Sequence, residues 1–126
     1  MSKKKILIID DEEALCNLLK LNIESTGNYE VTTASDSREG LAMTRQAEFD
    51  LILLDLMMPH MDGTEVAERI MANPKTKHIP IVFLTALAEK RQVEDNMGTI
   101  GGRNFIAKPV TTEQLIARME EVLSEK

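Results

Sequence analysis

Five polar residues follow directly on apolar stretches of the chain, where strands of a parallel sheet would end. They are Asp10, Asp11, Asp55, Thr85 and Lys108. A lone acid in such a place more often just starts a turn. Because ligands of parallel sheets gather beyond the carboxyl ends of the strands, we expect the five side chains to share one crevice.

Three carboxylates brought to one place predict a bound cation, since like charges repel one another unless a cation joins them. Oxygen ligands in a half-open site suit Mg²⁺. With the metal in place, Asp55 is predicted to act as a nucleophile toward a phosphoryl donor and to form an aspartyl phosphate. The Lys108 ammonium would stabilise the phosphoryl oxygens, and the Thr85 hydroxyl would donate to one of them.

Length and composition limit the class of protein. The 126 residues suit one compact domain over 1–126, with 43% hydrophobic and 29% charged residues, as in ordinary globular proteins. A net charge of -6 argues against direct binding to nucleic acid or to an anionic membrane. The single Cys16, which we expect to be buried, and the lack of a long apolar run favour a reducing, cytoplasmic location.

Strand and helix patterns alternate along the chain. Strands are predicted at 6–9, 30–34, 51–54, 79–84 and 103–106, and helices at about 12–25, 37–47, 62–73, 89–97 and from 112 onward. Five such units imply right-handed crossovers and a sheet covered on both faces. We therefore predict an α/β fold, a doubly wound, five-stranded parallel sheet of flavodoxin-like strand order 2-1-3-4-5 with helices on both faces.

Three of these helices carry an apolar stripe at helical spacing, which we expect to face the core. The stripes consist of Leu15, Leu18, Leu19 and Ile23; of Val66, Ala67, Ile70 and Met71; and of Leu115, Ile116, Met119, Val122 and Leu123. The helix predicted over 89–97 has little apolar face. It is a candidate for a mobile or partner-seeking element.

Together the motifs resemble the receiver domains of two-component response regulators, the CheY-like superfamily. The matching pieces are Asp10-Asp11, the stretch from Asp55-Leu56-Met57-Met58-Pro59 to Met61-Asp62-Gly63, Thr85-Ala86, and Phe105 followed by Lys108-Pro109. The resemblance covers essentially the whole chain. One departure is Gly101-Gly102-Arg103-Asn104, where family members usually carry Gly-Ala and then acidic residues.

The resemblance implies a role for each residue of the acidic site. Asp55 would be the phosphoacceptor. Asp11 and Asp55 would bind Mg²⁺ directly, Asp10 would help through water, and the backbone carbonyl of Met57 would complete the protein ligands.

The same resemblance implies a switch and a set of partners. Thr85 and Phe105 would be the coupled switch pair, and a sensor histidine kinase or a histidine phosphotransfer protein would supply the phosphoryl group. The signal would then pass to a downstream protein target or to an attached effector domain. Phosphorylation-dependent formation of a homodimer is a further outcome. Such a domain is no enzyme in the usual sense, although it catalyses its own phosphorylation and dephosphorylation.

Three other classes of protein compete with this interpretation. A haloacid-dehalogenase-type phosphatase needs a second acid two residues after the first, where this chain has Met57. A flavin-binding electron carrier needs a phosphate-accepting turn, and the acids at 10–13 would repel a phosphate. A non-phosphorylated receiver-like scaffold remains the runner-up, since fold alone proves no chemistry.

The sequence stops soon after the last predicted helix. We expect either a stand-alone receiver that acts by protein contact or a domain of a longer protein, and both alternatives stay open.

Overall fold

The computed structural model describes residues 3–56, 58–59, 61–85, 99–100, 103–108 and 110–124. The strands of this part of the chain are β1 Lys4–Ile9, β2 Tyr29–Ala34, β3 Leu51–Asp55, β4 Ile81–Thr85, β5 Thr99–Ile100 and β6 Arg103–Ala107. Its helices are α1 Glu13–Glu24, α2 Ser37–Gln46, α3 Gly63–Ala72 and α4 Thr112–Ser124. The helix predicted over 89–97 lies outside the described residues.

All described strands join one sheet of order β2-β1-β3-β4-β6-β5. The pairs from β2 through β6 are parallel, so the predicted order 2-1-3-4-5 is confirmed, with β6 as the predicted fifth strand. The prediction missed β5, which pairs antiparallel with β6 at the edge of the sheet. A strand of two residues leaves no readable period in the sequence.

Strand register places the predicted site residues at one edge of the sheet. Ile9 lies beside Leu54, so Asp10 continues β1 next to Asp55 at the end of β3. On the far side, Asp55 pairs with Leu84, and β4 in turn pairs with β6 up to Ala107, the residue before Lys108. The carboxyl ends of β1, β3, β4 and β6 therefore meet.

The sheet separates two hydrophobic cores. Alternate residues of each central strand point to opposite faces, so that Ile8 and Leu53 face α1 and α4 while Ile9 and Leu54 face α2 and α3. Both faces of β1 and β3 are buried, as the unbroken aliphatic runs of these strands predict. The two cores hold the carboxyl ends of the strands in fixed positions.

Two residues of the predicted apolar stripes face solvent instead. Leu18 is 54% exposed and Met71 is 41% exposed. On α1 the buried residues are Cys16, Leu19 and Ile23, and Leu18 lies a full 100° around the helix from Leu19. Met71 is displaced in the same way from buried Ile70. The stripe predicted for the last helix is confirmed, with its residues buried or half-buried in the core.

Gly40 shows why a glycine occurs in the middle of α2. A Cβ atom built on Gly40 would lie 2.5 Å from Cδ1 of Ile9. The helix therefore packs closely on β1, the strand that carries Asp10. A glycine in a helix interior costs stability, and the close approach to β1 explains why Gly40 occurs here.

Within the part of the chain that is described, no helix is both long enough and apolar enough to cross a membrane.

Candidate functional site

Asp10, Asp11 and Asp55 form an acidic cluster beyond β1 and β3. One carboxylate oxygen of each lies within 4.8 Å of those of the other two. Asp10 and Asp55 are buried, whereas Asp11 is exposed. The structure thus brings together the three acids that the sequence predicted for one site.

Asp10 is held by hydrogen bonds on several sides. Its Oδ1 accepts from the backbone N–H of Glu12 at 2.9 Å, and its Oδ2 accepts from Nζ of Lys108 at 2.8 Å. Its backbone N–H donates to the carbonyl of Ala34 on β2. The carboxylate is therefore oriented by the protein before any ligand binds.

Cys16 supports the same residue from α1. Its Sγ donates to the backbone carbonyl of Asp10 at 3.3 Å. Burial, reinforced by the negative charge of Asp10, raises the pKa of the Cys16 thiol to about 11, so the thiol stays protonated at neutral pH. The predicted burial of Cys16 is confirmed, and its contact with the site is a finding that composition alone does not reveal.

Lys108 places its ammonium among carboxylates. Its Nζ lies 2.8 Å from Asp10, 3.5 Å from Asp55 and 3.5 Å from Glu12. Burial on its own would lower the pKa of Lys108, but the hydrogen bond to Asp10 and the charges of the three carboxylates outweigh it and raise the pKa. A positive charge therefore stands beside Asp55 throughout the physiological range.

The loop after Asp55 is packed against the end of β3 through Gly63. A Cβ atom at Gly63 would overlap the backbone oxygen of Asp55 and would lie 2.9 Å from Cα of Leu56. The N–H of Gly63 donates to the carbonyl of Leu56 at 2.8 Å. Glycine at this position thus permits the start of α3 to touch the backbone of Asp55.

Ser37 fixes the other side of this loop. It is buried, and its Oγ donates to the backbone carbonyl of Met61 at 2.6 Å. The cap of α2 is the preceding residue Asp36, whose side chain accepts from the N–H of Glu39. No local pattern identifies the contact between Ser37 and Met61, which joins two segments 24 residues apart.

The structure describes the three other predicted residues to different extents. The backbone of Thr85 ends β4 and pairs with Ala107, beside the site, while the Met57 carbonyl lies outside the described residues. Phe105 is half-buried and packs against the core beneath α2 and α3, next to Phe83 in register.

A cavity of about 640 Å³ opens beside the acidic cluster. Its lining combines Asp11 and the start of α2 with the apolar side chains Met58, Pro59 and Met61. The cluster is therefore accessible from solvent on the side of Asp11.

The donor set fits a hard divalent cation. It consists of three carboxylates close enough to share one ion, one of them exposed, with no thiolate or imidazole among them. The nearby Cys16 thiol is protonated and donates to the backbone carbonyl of Asp10, so it offers no thiolate ligand. The donor set therefore does not favour a soft metal.

Comparison with protein families gives the class of the chain. Residues 6–120 match the family described as the response regulator receiver domain. This match covers most of the 126 residues, and the chain belongs to that family. Receiver domains are signalling domains. The response regulators of two-component systems to which this chain is homologous accept phosphoryl groups on an aspartate.

Individual relatives agree with this assignment. The DNA-binding dual master transcriptional regulator RpaA of Synechocystis sp. is 38% identical over 121 residues, 94% of this chain and 48% of RpaA. The nisin biosynthesis regulatory protein NisR of Lactococcus lactis subsp. lactis is 40% identical over 116 residues, 92% of this chain and 48% of NisR. The chain thus spans about half the length of these two curated relatives.

A solved structure agrees with the fold. A CheY-like response regulator receiver domain protein from Methanospirillum hungatei JF-1 superposes with a TM-score of 0.81 at 31% identity, over 98% of this chain and 96% of that one.

Proposed function

We propose that Asp55 accepts a phosphoryl group in a Mg²⁺-dependent reaction and that the phosphorylated domain signals to a protein partner. One observation carries the proposal. A buried carboxylate at the end of β3 lies among two further carboxylates and 3.5 Å from a lysine ammonium. A nucleophilic carboxylate with neighbouring metal ligands and a lysine ammonium matches what phosphoryl transfer to an aspartate requires.

In the proposed step, a carboxylate oxygen of Asp55 forms a bond to phosphorus. The bond between phosphorus and the leaving group breaks, and the leaving group keeps the electron pair. Lys108, only 17% exposed, would hold its charge against the phosphoryl oxygens, where low solvent exposure strengthens the attraction. Asp10 and Lys108 are already oriented by their mutual hydrogen bond, which reduces the reorganisation that the reaction needs.

Asp11 and Asp55, with Asp10 through water and the Met57 carbonyl, are the residues we propose for Mg²⁺. When bound, the ion would neutralise charge on the carboxylates and on the transferring group. We further propose Thr85 as a hydrogen-bond donor to the phosphoryl group and the pair Thr85 and Phe105 as the switch.

The proposed partners follow from the family. A sensor histidine kinase or histidine phosphotransfer protein would donate the phosphoryl group in the cytoplasm. The signal would pass to a downstream protein target or to an attached effector domain, or would drive formation of a homodimer. The domain would also catalyse its own dephosphorylation.

The first prediction tests the phosphoacceptor without a kinase. The protein incubated with acetyl phosphate and Mg²⁺ should gain one phosphoryl group, because nucleophile, lysine and metal ligands all belong to this chain. Intact-mass spectrometry measures the adduct. Asp55→Asn should abolish it.

Asp50→Asn is the matched control, since Asp50 lies just before the opposite end of β3, where its carboxylate accepts from the N–H of Lys5. This variant should be phosphorylated like the wild type. An unmodified wild type, with correct folding, would favour the non-phosphorylated scaffold, and an undiminished adduct on Asp55→Asn would place the acceptor elsewhere.

A further inference from the structure

Lys108 faces a carboxylate that the proposed reaction does not use. Glu12 lies 3.5 Å from the ammonium, the same distance as Asp55, on the outer side of the site. The side chain of Glu12 is 65% exposed, while those of Asp10 and Asp55 are buried. The ammonium is thus drawn toward solvent by one acid and toward the reacting carboxylate by another.

Among the residues that the structure describes, the side chain of Glu12 contacts Lys108 and does not cap α1. Glu12 is the residue before the first turn, and its side chain makes no capping hydrogen bond. Its backbone N–H donates to Asp10. Its described side-chain contact is with Lys108.

We propose that Glu12 is a positioning residue that holds the Lys108 ammonium partly away from Asp55 and so slows phosphoryl transfer. The proposal rests on the function proposed above. In the proposed reaction, the ammonium has to approach the phosphoryl oxygens as the new bond forms at Asp55. Loss of the contact with Glu12 leaves the attraction of the buried site unopposed.

The expected effect is modest. Ion pairs with an exposed partner contribute little because water screens them, so removing the contact should raise the rate about two- to fivefold. A larger increase is not expected, since Asp10 keeps its shorter contact with Lys108.

Three variants separate positioning from net charge. Glu12→Gln removes the charge and keeps the shape. Glu12→Asp keeps the charge but shortens the side chain by one methylene, which takes the carboxylate out of reach of Lys108. Glu13→Gln removes a neighbouring exposed charge of α1 that has no described ion pair with Lys108.

The experiment measures the rate of phosphorylation by acetyl phosphate and Mg²⁺ for each folded variant, with helix content followed by circular dichroism. We expect Glu12→Gln and Glu12→Asp both to react about two- to fivefold faster than the wild type, and Glu13→Gln to stay near it. NMR of the unphosphorylated protein should detect a shifted Cε resonance of Lys108 in both Glu12 variants but not in Glu13→Gln.

Equal rates for Glu12→Gln and Glu13→Gln would reduce the effect to net charge and overturn the inference. So would a Glu12→Asp variant that matches the wild type in rate and in the Lys108 resonance. Failure of the wild type itself to accept a phosphoryl group would instead overturn the proposed function, and this inference with it.

Discussion

The ion pair between Lys108 and Asp10 joins residues 98 positions apart and is mostly buried. Breaking such a pair by removing one partner leaves a buried charge uncompensated and costs several kcal/mol. The raised pKa of Lys108 means that its contribution to stability is fully present below the unfolded-state pKa of about 10.4 and is lost as the pH rises through the higher folded-state pKa. The Lys108 ammonium is therefore charged at every physiological pH.

The two adjacent acids after β1 should contribute unequally to metal binding. Asp10 already uses both carboxylate oxygens in hydrogen bonds to Glu12 and Lys108, whereas Asp11 is exposed beside the cavity. We therefore expect Asp11→Asn to weaken Mg²⁺ binding more than Asp10→Asn. A Mg²⁺ titration followed by NMR measures both affinities, and equal losses would contradict the assignment of direct ligation to Asp11 and of a water-mediated contact to Asp10.

The position of helix α3 is fixed by its first turn. Gly63 brings the helix against the backbone of Asp55, and Asp62 caps it by accepting from the N–H of Glu65 at 3.0 Å. The hydroxyl of Thr64, first, and then the N–H of Glu65 lower the pKa of the Asp62 carboxyl. The cap therefore anchors the segment that follows the proposed phosphoacceptor.

Replacing this cap should cost stability in a pH-dependent way. Asp62→Ala should lower the free energy of unfolding by about 1 kcal/mol at neutral pH. Because the folded-state pKa is depressed, the part that depends on charge is present above the unfolded-state pKa of about 3.9 and is lost as the pH falls through the folded-state value. Urea unfolding at several pH values measures the difference between the two proteins.

Asp62→Asn is the control, since asparagine caps helices well but carries no charge. It should lose little at neutral pH, and its difference from the wild type should vanish in acid. If the difference in free energy of unfolding between Asp62→Ala and the wild type stays constant down to the lowest accessible pH, the charge of Asp62 does not contribute to stability.

Helix α1 protects the open edge of the sheet. Val31 lies on the edge strand β2, and both of its backbone polar groups are used, the carbonyl by Nζ of Lys20 at 2.6 Å and the N–H by Glu24 at 2.9 Å. The hydrogen bond from Val31, and then the charge of Lys20, lower the pKa of Glu24. An edge occupied in this way offers less backbone to another strand.

If Asp55 is the phosphoacceptor, as we propose, its signal has to reach surfaces that Asp55 does not touch. Strand pairing links the end of β4 at Thr85 to β6, and β6 carries Phe105, half-buried over one of the two cores. Moving an equilibrium from mostly inactive to mostly active takes about 5.5 kcal/mol. A hydrogen bond to a charged phosphoryl oxygen contributes roughly 1.5–3 kcal/mol, so Thr85 cannot supply all of it.

We therefore expect Thr85→Ala to accept a phosphoryl group on Asp55 but to show a smaller response at residues away from the site. NMR shift changes of Phe105 and Leu115 on phosphorylation should be reduced, not abolished. Thr85→Ser, which keeps the hydroxyl, should respond like the wild type. A full response in Thr85→Ala would exclude Thr85 from the switch, and loss of phosphorylation would make its role catalytic.

The amino-acid sequence was enough to predict the order of the five parallel strands, the two-sided burial of the central strands and the meeting of Asp10, Asp11, Asp55 and Lys108. These features depend on local patterns, since an unbroken aliphatic run already predicts a strand buried on both faces, and a polar residue after it marks the carboxyl end. The exposure of Leu18 and Met71 was mispredicted because spacing alone does not fix the edges of a helical stripe.

The contacts of Glu12 with Lys108, of Ser37 with Met61 and of Gly63 with Asp55 could be found only in the folded chain. Each depends on how a loop or helix end packs against a strand, and no periodicity along the chain encodes such a contact. Sheet order brings residues 96 positions apart into one crevice, and side-chain packing then sets which of them touch.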